Sequence, residues 1–146
     1  MLTFLQNVIG NGNNGFTDDG GMYITLVNDT GSTSVKGTIV SASLTTNNAA
    51  RISPANKDQP IGVIVDNGVS SGASMKVAVS GKAYVLLQDG LAGTRGYWCG
   101  VSTTAGRMYQ LTDPPSTTEH SREIGHCLQT VTAGVNKLCL VDLHFN

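Results

Sequence analysis

Residues 60–90, PIGVIVDNGVSSGASMKVAVSGKAYVLLQDG, carry three strand patterns and the turns between them in one run. Ile61, Val63 and Val65 alternate with Gly62, Ile64 and Asp66, and Met75, Val77 and Val79 alternate with Lys76, Ala78 and Ser80. That two-residue period is the signature of a strand. Tyr84, Val85, Leu86 and Leu87 form an unbroken, largely apolar run suited to a strand buried on both faces. Asn67-Gly68 and Ser71-Gly72 accept positive φ between the first two patterns, and Ser80-Gly81 predicts a turn between the second and third. The stretch reads as an antiparallel meander.

Working outward, residues 22–27 and 35–41 have strand composition, and Asn28-Asp29 and Thr30-Gly31 close the first of them. Residues 42–60 are polar, and Pro54 and Pro60 leave room for one short strand near residues 50–53. Downstream, the glycine-flanked residues 90–96 deliver Tyr97-Trp98-Cys99, residues 107–111 make a further strand, and residues 113–118 read as an exposed loop. Residues 123–130 and 136–145 close the chain as a hairpin, with Cys139, Val141, Leu143 and Phe145 on one face of its second strand. No apolar period of a helix persists anywhere. The fold class expected is all-β, a compact barrel or sandwich of about eight to ten strands with almost no helix.

Two segments begin alike: PIGVIVDNGVSSGASMKVAV from Pro60 and EIGHCLQTVTAGVNKLCLV from Glu123. Ile61 matches Ile124, Gly62 matches Gly125, Val69 matches Val131 and Gly72 matches Gly134, while GTIVS at Gly37 and CGVS at Cys99 stand upstream in comparable places. Hairpin units too small to bury their own faces, closing together into one barrel, would produce such an internal repeat.

The chain has 146 residues, the size of one domain. The expected division is an N-terminal arm over residues 1–20 and a single β domain over residues 21–146. Nine basic against ten acidic side chains, at 13% charge, supply no basic field for nucleic acid. The first residues lack the basic flank of a signal peptide and soon meet the glycine-asparagine tract, so neither a leader nor a membrane span is expected. Cys99, Cys127 and Cys139 are odd in number and without CxxC spacing, which predicts buried thiols in a protein made in a reducing cytoplasm.

A search for chemistry yields little. Ser74 and Lys76 superficially form a serine-lysine pair, but their spacing turns both toward solvent on a strand. His120, His126 and His144 could join Cys127 around a metal, yet no ligand spacing supports it, and ordinary surface or interface histidines are expected. No catalytic, cofactor-binding or metal-ligating residue is therefore assigned. Trp98, the only tryptophan, is expected to anchor a subunit interface or the core.

DDGGMYITLVNDTGSTSVKGTIV, the run from Pro60 to Met108, and REIGHCLQTVTAGVNKLCLVDLHFN together resemble a family of small virion proteins of tailed bacteriophages. These are taken to be head decoration or related structural proteins, and the resemblance covers about residues 18–146. It implies a non-enzymatic protein, made in the host bacterial cytoplasm, that binds and stabilises the outer surface of the mature capsid. The implied partners are the major capsid protein and further copies in a homotrimer, with no cofactor, nucleic acid or membrane. The capsid-contact candidates are Phe4, Leu5, Val8, Ile9 and Phe16, apolar residues stranded in a polar arm. A fibre-base or receptor- or glycan-binding module is the alternative, marked by exposure of Tyr97, Trp98 and Tyr109.

Overall fold

The computed structural model describes residues 13–56 and 59–145. Those residues form ten strands and one short helix: β1 (Asn14–Phe16), β2 (Gly21–Asn28), β3 (Ile39–Ala42), β4 (Ala49–Ile52), β5 (Gly62–Ile64), β6 (Ser74–Leu86), β7 (Trp98–Val101), β8 (Met108–Gln110), α1 (Thr117–His120), β9 (Glu123–Cys127) and β10 (Leu138–Leu143). The strands make one sheet in the order β1-β2-β4-β3-β5-β6-β10-β9-β7-β8, in which β6 also pairs with β2.

That extra pairing closes β2, β4, β3, β5 and β6 into a first barrel. A parallel bridge between Leu87 and Met108 closes β6, β10, β9, β7 and β8 into a second. The two barrels share β6. The turn expected at Ser80-Gly81 is absent, because both sides of Gly81 keep strand partners: residues 74–81 pair with β2 and residues 81–86 with β10. Gly81 takes φ 72° and lies against Gly20 and Gly21, so it marks the point where one strand changes partners.

The internal repeat extends to the whole barrel. Asn28 meets Ala50 in parallel as Leu87 meets Met108, Val40 faces Gly62 as Cys99 faces Gly125, and Ile64 faces Val77 as Cys127 faces Val141. Connecting hydrogen bonds repeat too. Gly37 N–H donates to the Ile64 carbonyl and Gly96 N–H to that of Cys127; Ser53 N–H donates to the Ile39 carbonyl and Leu111 N–H to that of Trp98. Gly31 and Gly90 share a left-handed φ, as do Gly37 and Gly96. Of the matches read from sequence, Ile61/Ile124, Gly62/Gly125 and Val69/Val131 agree with this register. Gly72 is instead matched by Asn136, because Ala73 and Lys137 occupy the same place, accepting from Asn28 and Leu87. GTIVS is matched from Gly96, two residues earlier than its sequence likeness to CGVS implies.

Burial follows the duplication. The first barrel's cluster is Leu26, Val40, Ala50, Ile64, Met75 and Val77. Its counterparts Val85, Cys99, Met108, Cys127, Cys139 and Val141 all belong to the second cluster. The three cysteines therefore stand where the first barrel has valine, isoleucine and methionine, and act as small hydrophobes. All three are free thiols. The second cluster also takes in Ile39, Val63 and Ala78, which point out of the first barrel and are covered by the second.

Part of the expected arm belongs to the sheet. Residues 14–16 form β1, which pairs with β2 through Asn14 and Ile24, Gly15 and Tyr23, and Phe16 and Met22. Thr17 Oγ1 accepts from Gly21 N–H at 3.0 Å, and Gly20 at φ 98° completes the reversal. The candidates Phe4, Leu5, Val8 and Ile9 lie outside the described residues. The loop expected over residues 113–118 contains the first residues of α1, whose N-cap Ser116 and Glu119 form a capping box.

Candidate functional site

The outer face of the second barrel gathers the chain's tryptophan and all three of its histidines. Strand pairing does this. Trp98 of β7 lies opposite His126 of β9, His126 opposite Asp142 of β10, and Asp142 opposite Lys82 of β6, so four side chains form a row across four strands. His144 follows β10 on the same face, and α1 brings in His120 from the side. The Trp98 ring centroid is 4.0 Å from that of His126, 5.5 Å from His120 and 5.9 Å from His144.

Beneath these rings lies Glu123, whose side chain is 1% exposed. Its Oε2 is 2.8 Å from His120 Nδ1 and its Oε1 3.1 Å from His144 Nε2. The latter nitrogen is also 3.0 Å from His126 Nδ1. One imidazole N–H cannot fully serve both, and Glu123 Oε1 is left without a well-directed hydrogen bond. A buried carboxylate so placed is costly unless neighbouring donors compensate it, which ties the three rings to one small patch.

The histidines, expected as ordinary surface or interface residues, converge here, though without Cys127. Its thiol is buried inside the barrel in the same core cluster as Cys99 and Cys139. Burial pushes the Cys99 thiol up, and the contact with Cys127 raises Cys139. Among the described residues no group of three His, Cys, Asp or Glu side chains is arranged to hold a metal ion. Ser74 and Lys76 are exposed along β6, and Lys76 Nζ stands 5.2 Å from the Tyr23 ring centroid. Trp98 is half-buried and belongs to neither core cluster. Tyr97 beside it is 37% exposed, while Tyr109 is half-buried under the Arg122 guanidinium at 5.5 Å.

A second surface feature surrounds Phe16, which is 64% exposed on β1 and faces the exposed Met22 across the strand pair. Asp18, Asp19, Tyr23, Lys36 and Lys76 share with it a depression of about 200 Å³. Lys36 and Asp19 are bridged there at 3.1 Å.

Sequence reasoning missed Glu123 and the convergence of the histidines. Alternation places His126 and His144 on outward positions of a predicted hairpin, but only its register shows that they meet. No protein-family model and no curated protein matches the chain.

Proposed function

We propose that this chain is a non-enzymatic virion structural protein of a tailed bacteriophage, one that binds the outer surface of the mature capsid and stabilises it. The observation that carries the reading is the Phe16–Met22 pair. Phe16, on the edge strand that the arm leads into, and Met22, opposite it on β2, stand exposed as an apolar cross-strand pair, in a chain whose described residues form two barrels with buried cores. Apolar groups so displayed mark a contact surface. Phe16 would continue onto the body of the protein the contact begun by Phe4, Leu5, Val8 and Ile9.

A protein that binds only the mature lattice stabilises it by mass action, by about 2.7 kcal/mol per site at a free concentration 100-fold above Kd. Several copies joined in a trimer would add avidity. The test is co-sedimentation of the purified protein with expanded capsids of its own phage. Saturable binding is expected, weakened by Phe16→Ala and by removal of residues 1–12; absence of binding by the intact chain sinks the proposal. The exposure of Tyr97 beside Trp98 favours, as a second reading, a receptor- or glycan-binding module, which a glycan array would reveal.

A further inference from the structure

The repeat breaks between β4 and β5. From Ser53 to Ile61 the chain runs over residues 54–60, whereas from their counterparts Leu111 to Ile124 it runs over residues 112–123, five more. The longer connection contains α1 and fills the space beside β8 with its own groups. Thr112 donates to the Glu119 carboxylate from its N–H at 3.3 Å and from its hydroxyl at 2.6 Å. Burial and the nearby Glu119 carboxylate raise the Tyr109 phenol, and the Arg122 guanidinium lies over its ring. Gly100, opposite Tyr109, is equally covered, since a Cβ there would stand 2.8 Å from the Arg122 carbonyl oxygen and 3.1 Å from Leu111 Cδ2.

In the first barrel the counterparts of Gly100, Tyr109 and Thr112 are Ser41, Arg51 and Pro54, and Ser41 again lies opposite Arg51. β9 pairs with β7 as far as Gly100, but β5 pairs with β3 only at Ile39 and Val40, so Ser41 stands beyond the paired segment. A cavity of about 470 Å³ lies there, a size that suits a small ligand. Pro54, Ile61 and the 80% exposed Leu44 give it apolar walls, and Arg51 and Ser41 supply polar groups. Arg51 Nε donates to the Ala42 carbonyl at 3.2 Å, while its terminal nitrogens make no hydrogen bond or ion pair among the described residues. Ser41 is 4% exposed, and its hydroxyl has no hydrogen-bond partner. A buried hydroxyl left in that state marks a place where a bound group is missing.

We infer that this cavity binds a carboxylate carried on a short apolar group, with Arg51 as its cationic partner and Ser41 beside it. The second barrel holds a carboxylate of its own, that of Glu119, in the corresponding place. The first barrel presents there a guanidinium with no carboxylate. A planar guanidinium matches the two oxygens of a carboxylate. Arg51 is the one cation among the described residues that line the cavity, which balances a singly charged carboxylate and leaves a phosphate dianion half compensated. The inference does not depend on the virion reading.

The test is an NMR titration of the ¹⁵N-labelled chain with two carboxylates. One is 4-methylpentanoate, a free apolar acid; the other is the blocked tripeptide Thr-Thr-Glu, which repeats residues 117–119 and carries the group on a peptide. Saturable shifts confined to the surroundings of Ser41, Arg51 and Ile61 are expected, with Kd of about 1–10 mM for ligands of so few atoms. The tighter of the two identifies the source as a free acid or an acidic side chain. Arg51→Gln is expected to weaken binding by about tenfold or more, and Ser41→Ala by about threefold. 4-Methylpentanamide, which has the same shape without the charge, and inorganic phosphate are each expected to bind the native chain about tenfold more weakly than the acid. Absence of saturable shifts from both carboxylates up to about 50 mM, equal binding of the amide or of phosphate, or undiminished binding by Arg51→Gln overturns the inference.

Discussion

Gly62 and Gly125 occupy equivalent positions in β5 and β9, and the same backbone atom of the neighbouring strand presses on each. A Cβ added at Gly62 would stand 2.7 Å from the Ala78 carbonyl oxygen and would collide with Val77 Cγ1. Added at Gly125, it would collide with the carbonyl oxygen of Asp142, the counterpart of Ala78, and lie 3.1 Å from Leu143 Cα. An ordinary C···O approach is about 3.3 Å, so β5 would have to retreat by about 0.6 Å from a strand whose carbonyls are fixed in the ladder. Overpacking of this kind costs about 1–3 kcal/mol, and Gly62→Ala is placed at about 2–3 kcal/mol. Gly125 adds a φ of 146°, which side chains rarely adopt, so Gly125→Ala is expected to cost about 4 kcal/mol or more. Urea unfolding followed by circular dichroism reads this directly. With a slope of about 2 kcal/mol/M the midpoint falls by about 1–1.5 M for Gly62→Ala and further for Gly125→Ala. Gly134→Ala is the control, because its Cβ would meet only the flexible Lys137 side chain, and a change within about 0.5 kcal/mol is expected. A Gly62→Ala curve that overlays the wild type would refute the account of these two glycines.

Two other outcomes follow from the same structure. Hydrogen bonds from the Thr112 hydroxyl and from the Ser116 backbone hold the Glu119 carboxyl down at about 2, against an ordinary value of 4.5. A depressed carboxylate contributes stability above the unfolded value and loses it on acidification. The urea midpoint of the wild type should therefore fall between about pH 5 and 2 by more than that of Glu119→Gln; parallel profiles would remove the capping role. Cys99, Cys127 and Cys139 are buried in the second barrel. A thiol-labelling reagent should leave all three untouched in the native protein and modify all three in urea, and rapid native labelling would contradict their place in the core.

Strand positions were legible from alternation in residues 75–80, where burial of one face dictates that pattern locally, and from β-branched and aromatic composition in residues 22–27. The all-β class followed from the same signal. The run through Gly81 was misread since turn chemistry is local, whereas the pairing of residues 74–81 with β2 and 81–86 with β10 is not. The repeat was visible at Ile61-Gly62 and Ile124-Gly125, where a close carbonyl constrains residue type. It was hidden elsewhere, because Val40 and Cys99, or Met75 and Cys139, satisfy the same interior with unrelated side chains. Of the candidate site, Trp98 could be singled out from its size and uniqueness. Glu123 could not, because nothing in its own neighbourhood tells a buried glutamate from a solvated one. His120, His126 and His144 needed the register of three strands and a capped helical turn to be seen as neighbours.

The sharing of β6 makes the two barrels mechanically one object. Residues 74–81 wall the first barrel and residues 81–86 the second, and because the strand runs unbroken through Gly81 a displacement of either half is passed to the other. Protection against hydrogen exchange should be greatest along Ser74–Leu86 and should vanish for both halves in a single cooperative step. A chain assembled from two similar halves thereby avoids the independent, partly unfolded states that tandem repeats otherwise risk, and presents a rigid body to whatever it binds.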